Sequence, residues 1–117
     1  MKNTIIIILA LLGSTLHLQG QKANIFAAFQ LIESAKYAEA KKAIDEALED
    51  EKTKKWYKTW YARGLLCQKA YEKGMKDKNQ KLYELYPDQL FLSYESFEKA
   101  LAYKRNSRIT DQLEPIY

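Results

Sequence analysis

Histidine, cysteine, proline and glycine are scarce in this 117-residue chain, which holds one, one, two and four of them. The single histidine, His17, lies within the first 20 residues. Imidazole-based acid–base or metal chemistry therefore has no side chain to work with in the rest of the chain. The single cysteine, Cys67, has no partner for an internal disulfide and reads as a small buried hydrophobe. There is no glycine-rich phosphate loop and no metal-ligand spacing. These absences predict a protein that is not an enzyme and uses no cofactor and no metal. The densest carboxylates, Asp45-Glu46 and Glu49-Asp50-Glu51, include two that follow Lys41 and Lys42 by four positions. That spacing pairs opposite charges along one helix and reads as a solvated face.

Long apolar runs are also missing, with one exception. Ile5 to Leu12 is continuously apolar, follows Lys2 and precedes the more polar stretch 13–21. It is too short to cross about 30 Å of hydrocarbon, which takes roughly 20 helical residues. The arrangement predicts a secretory signal peptide over residues 1–20, cut after Gly20 to leave Gln21 at the mature end. An uncleaved signal anchor is the alternative. Export would place the protein in the periplasm or outside the cell. Loss of Lys2 would lower the net charge from +4 to +3. Charges of both signs are mixed along the chain, so no basic face argues for nucleic acid. The remaining chain of about 97 residues can bury roughly 60–65% of its unfolded surface, enough for one modest core.

What the chain does contain is helix-forming sequence. Between Gln21 and Leu113 the only proline is Pro87, and Ala, Leu, Lys, Glu and Gln dominate. No alternation of period two marks a strand. A first helix is expected over Lys22 to Glu33, with Ile25, Phe26, Ala28, Phe29 and Ile32 in helical period. After a break at Ser34-Ala35-Lys36, a second should cover Tyr37 to Asp50. A polar connection at Glu51-Lys52-Thr53-Lys54 leads to a third over Lys55 to Lys73, with Gly74 as its end signal. Residues 75–87 form a lysine-rich insert with one possible helical turn around Leu82, Leu85 and Tyr86. Pro87-Asp88 should open a fourth helix reaching Tyr103. Asn106-Ser107 reads as another break, and Ile109 onwards as the start of a fifth helix.

Two phrases echo each other. Ala40-x3-Ile44-x2-Ala47 and Ser93-x3-Phe97-x2-Ala100 both place a large side chain between two small ones, and Trp60-x3-Gly64 stands between them. Small residues at these offsets let one helix approach another while the bulky one fills the gap. On these residues the chain resembles the tetratricopeptide-repeat (TPR) family, built from helix pairs of about 34 residues. Ala28 takes the family's glycine slot in the first pair and Gly64 in the second, 36 positions later. Arg63 and Cys67 depart from the family's leucine and tyrosine. Ser93 follows Ala40 by 53 positions, and the 17-residue excess falls in the insert.

The resemblance implies an all-α fold of antiparallel helix pairs stacked as a short TPR-like α-solenoid behind a signal peptide. The first pair would occupy 21–54 and the second 55–106, its inter-helix loop expanded at 75–87. Residues 107–117 would begin a further helix. The apolar ending Pro-Ile-Tyr is not the polar closing helix that terminal repeats need, so further repeats or self-association are expected there. Ala28, Ala40, Ile44, Ala47, Trp60, Gly64, Ser93, Phe97 and Ala100 are the expected repeat-packing residues. By the same resemblance the first helix of each pair lines a concave groove for a peptide or protein partner. The residues in those slots are Ile25, Phe29, Ile32, Tyr61, Leu65 and Gln68, which make an apolar, aromatic surface. The family's peptide-carboxylate clamp would need Lys and Asn there, so a clamp is not expected. The function implied is an exported interaction scaffold. The alternative is a structural N-terminal segment of a longer repeat protein that binds through residues beyond 117.

Overall fold

The computed structural model describes residues 20–113, with side chains described as far as residue 107. The signal-peptide expectation for 1–20 and the apolar ending at 115–117 thus fall almost wholly outside the described residues. All regular structure among the described residues is helical: α1 over 20–33, α2 Tyr37–Glu49, α3 Tyr57–Asp77, α4 Gln80–Tyr83 and α5 Gln89–Leu113.

Helical period decides what each element buries. In α1 the buried positions are Ile25, Ala28 and Ile32, and in α2 they are Tyr37, Ala40, Ile44 and Ala47. These spacings of three and four lay one stripe along each helix. Ala62, Leu66, Cys67 and Ala70 of α3 complete the same core, and Tyr86 joins it from beyond α4. Burying a side chain such as Ile25, Ile44 or Leu66 fully is worth about 1.5–3 kcal/mol each.

The turn between α1 and α2 is tight, and the N–H groups of Ser34, Ala35 and Lys36 are all hydrogen-bonded. Lys36 N–H donates to the Leu31 carbonyl at 2.8 Å and Ala35 N–H to that of Ile32 at 3.0 Å. This is the Schellman pattern, and it puts Ala35 at φ 59°. A Cβ in that conformation costs about 1–2 kcal/mol. The connection after α2 is anchored by Thr53, which is fully buried and whose hydroxyl donates to the Ala47 carbonyl at 2.6 Å.

Helix α3 is the hub. Aromatic contacts Phe26–Trp56 (5.8 Å between ring centres) and Phe29–Tyr61 (5.9 Å) advance together along both chains, so α1 and α3 run parallel. Contacts of Gly64 with Ser93, Arg63 with Ser96 and Trp60 with Tyr103 run in opposite order, so α3 and α5 are antiparallel. Small residues permit the close approach. A Cβ built on Gly64 would stand 2.7 Å from the Phe97 ring, and the Ser93 hydroxyl donates to the Gly64 carbonyl at 2.8 Å.

Three expectations are corrected here. Gly74 does not end α3, which continues to Asp77 and stops at Lys78, φ 55°. Gly74 is instead buried under α4, where a Cβ would meet the backbone nitrogen of Tyr83 at 2.6 Å. Asn106-Ser107 is no break: α5 continues through it to Leu113, so no separate helix begins at 107 within the described residues. Neither residue is costly enough in a helix, at well under about 1 kcal/mol, to interrupt one lacking Gly and Pro. Trp60 is only half-buried. Its indole N–H donates to the Lys54 carbonyl at 2.7 Å, while Arg63 and Lys99 lie 4.5 and 4.4 Å from its ring centre. The other repeat-packing candidates are buried except Phe97, which is half-buried over Gly64.

Candidate functional site

An apolar concavity of about 590 Å³ is bounded by α1, α3 and α5. Phe26 and Phe29 of α1 form one wall, Tyr57 and Tyr61 of α3 the floor, and Phe97 and Leu101 of α5 the other wall. Ala100, Lys58 and Lys104 complete the lining. Phe26, Tyr61 and Leu101 remain 51%, 47% and 56% exposed, so this surface is not consumed by the protein's own packing. The floor and walls touch one another through Phe29–Tyr61 and Tyr61–Phe97, with ring centres 5.9 and 5.6 Å apart. Such tilted aromatic contacts hold the wall shape without closing it.

The six residues expected to face a partner divide. Phe29 and Tyr61 line the concavity. Ile25 and Ile32 do not: they are 0% and 4% exposed and belong to the core between α1 and α2. Leu65 is half-buried against that core, and Gln68 lies one turn further on, its amide bonded to Glu72 at 3.3 Å. The correction has a geometric cause. Ile25 and Ile32 project about 40° and about 60° around the helix from Phe29, both toward α2, because 100° separates successive residues. Sequence reasoning missed Phe26, Tyr57, Lys58, Phe97, Leu101 and Lys104. The signal was present in the pairs Phe26/Phe29, Tyr57/Tyr61 and Phe97/Leu101, each three or four apart on one helix.

Several polar groups elsewhere are engaged in structure, while the buried Thr59 hydroxyl has no hydrogen-bond partner among the described residues. Gln89, at the start of α5, is buried; its amide nitrogen donates to the carbonyls of Cys67 at 3.0 Å and Leu82 at 2.9 Å, and its oxygen accepts from Tyr86 N–H at 3.0 Å. The Tyr86 hydroxyl donates to Asp45 at 3.0 Å, and Lys41 pairs with the other oxygen of that carboxylate at 2.9 Å. Burial first, and then the Asp45 charge, hold the Tyr86 phenol well above its ordinary range. Burial likewise pushes the Cys67 thiol up to about 12, opposed in part by the Arg63 charge. A thiol so far from ionising is a poor nucleophile. Among the described residues no cluster of three or more His, Cys, Asp or Glu could hold a metal ion, and no helix is long and apolar enough to cross a membrane.

No family model, curated protein or solved structure matches the chain. The described residues are all-α, with an open aromatic concavity between three of the helices.

Proposed function

We propose that the chain is an exported interaction scaffold, built from two TPR-like helix pairs, that holds a peptide or protein segment in the concavity between α1, α3 and α5. The observation that carries this reading is the concavity itself: about 590 Å³ with three large apolar side chains left roughly half exposed. Exposed apolar surface of this kind, rimmed by polar residues, is what interaction sites present. The pairing of α1 with α2, the parallel course of α1 and α3, and the Gly64–Phe97 approach support the repeat-like arrangement. Lys2 and the apolar run Ile5 to Leu12 support export. On this reading the protein binds without transforming its partner.

A photo-crosslinking residue placed at Tyr61 should trap a protein adduct in the expressing cell, while one at Glu39 on the exposed side of α2 should not. Adding Phe29→Ala should abolish that adduct without loss of helical content. Equal adducts at both positions, or none at Tyr61, would overturn the proposal. Export is tested separately by sequencing the N-terminus of the secreted protein, which should begin at Gln21.

A further inference from the structure

The concavity carries charge of one sign. Its lining includes Lys58 and Lys104 and no carboxylate. Both ammonium groups sit at the Tyr57 end, 6.0 and 5.7 Å from that ring centre. Lys58 also stands 5.0 Å from the centre of the Phe26 ring. Among the described residues neither lysine is in an ion pair. An occupant therefore meets an apolar trough with two unneutralised cations at one end.

The backbone limits what that occupant can be. Every wall is a helix, whose N–H and C=O groups are bonded within the helix except in the uncapped first turn of α3 at Tyr57 and Lys58. An extended peptide would find no strand edge to pair with, and its own amides would be left unpaired against aromatic side chains. An α-helix satisfies its backbone internally. The α5 wall also offers a matching seam: Leu90, Tyr94, Phe97 and Leu101 follow one another at spacings of four, three and four. That is the spacing by which one helix packs along another. Leu90 and Tyr94 are 51% and 61% exposed, so the seam continues past the concavity.

Resting on the groove reading above, we infer that the occupant is an amphipathic α-helix from a partner protein, with acidic residues flanking its apolar stripe so that they meet Lys58 and Lys104. Three synthetic peptides of about 18 residues, roughly five helical turns, test this. They share one leucine stripe and carry Glu, Gln or Lys at the flanking positions. Titrated into the full chain and followed by tryptophan fluorescence, the Glu peptide should bind about tenfold tighter than the Gln peptide, with the Lys peptide weakest. The preference should collapse near 1 M salt, where screening acts within about 3 Å. The Lys58→Glu/Lys104→Glu protein should reverse the order while melting like the parent.

Equal binding of all three peptides would overturn the acidic helix yet leave the groove reading standing, provided Phe29→Ala/Tyr61→Ala still abolishes binding. Binding untouched by that double variant would overturn the groove reading itself. Failure of every peptide, with uptake of laurate instead, would overturn the helix in favour of a carboxylated amphiphile. A dimer in sedimentation that Tyr61→Ala dissociates would overturn it in favour of a second copy.

Discussion

Helices α2 and α5 carry the same small-large-small phrase and put it to different uses. In α2, Ala40, Ile44 and Ala47 are all fully buried. In α5, Ser93 and Ala100 are buried at 6% exposure each, while Phe97 is half-buried and faces the concavity. The difference lies in the neighbours. Ile44 belongs to a core shared by α1, α2 and α3. Phe97 lies on α3 alone, against Gly64 and Tyr61, and its free side becomes a wall. One phrase thus makes a core where two helices flank it, and an open apolar surface where only one does.

The sharpest way to break this comparison is to truncate both large residues. Ile44→Ala should cost about 3 kcal/mol, because a fully enclosed site leaves a cavity that cannot collapse. Phe97→Ala should cost about 1–2 kcal/mol, since part of that ring already meets water. At about 4–8 °C per kcal/mol the two melting temperatures would separate clearly. Equal losses would mean that the α5 wall is as much core as α2.

Gln89 sharpens the comparison at the base of α5. Gln89→Leu would leave the carbonyls of Cys67 and Leu82 and the Tyr86 N–H without their partner. A loss of about 2 kcal/mol is expected in urea unfolding, with α5 detaching first in hydrogen exchange. An unaltered midpoint would show that the polar anchor is dispensable.

Cys67 lies on the α3 face that this anchor covers. Its thiol ionises near 9.0 when free and near 12 in the fold, so above about pH 9 the unfolded chain loses a proton that the folded chain keeps. Stability is therefore full below pH 9 and falls through the window up to about 12, by up to about 1.4 kcal/mol per pH unit. Tyr86 is shifted in the same direction and adds to the decline. Urea midpoints between pH 8 and 11 should slope less in Cys67→Ala than in the parent; identical slopes would exclude the thiol as a cause.

The smallest effects come from the two helix starts. Ala35 before α2 and Asp88 before α5 both have positive φ, at 59° and 48°. Ala35→Gly should stabilise by about 1 kcal/mol. Asp88→Gly should gain less, because Asp tolerates this conformation better than Ala. Equal gains in thermal melts would show that the side chain of Asp88 brings nothing to its turn.

Much of the helical layout was legible in the residues. The break at 34–36 and the start of α2 at Tyr37 coincide with the structure, because a short-range turn and a clean apolar stripe are both visible locally. Gly74 misled because glycine serves two purposes: it ends helices, and it admits a close neighbour. Only the backbone of α4 overhead shows that the second applies. The candidate site was half legible. Phe29 and Tyr61 lie in the concavity, whereas Ile25 and Ile32 could not be told from groove residues by hydrophobicity alone.

By itself, then, the sequence determined that this is a helical protein and which residues share each helical face, since propensity and a period of 3.6 act between near neighbours. It also placed the small residues at which helices can meet. Which apolar faces would be enclosed and which left open was decided only by the tertiary structure. Enclosure depends on how many helices surround a face: α3 is packed by α1, α2, α4 and α5, while α5 packs chiefly on α3. That imbalance, rather than any single residue, leaves Phe97 and Leu101 lining an open trough together with Phe29 and Tyr61.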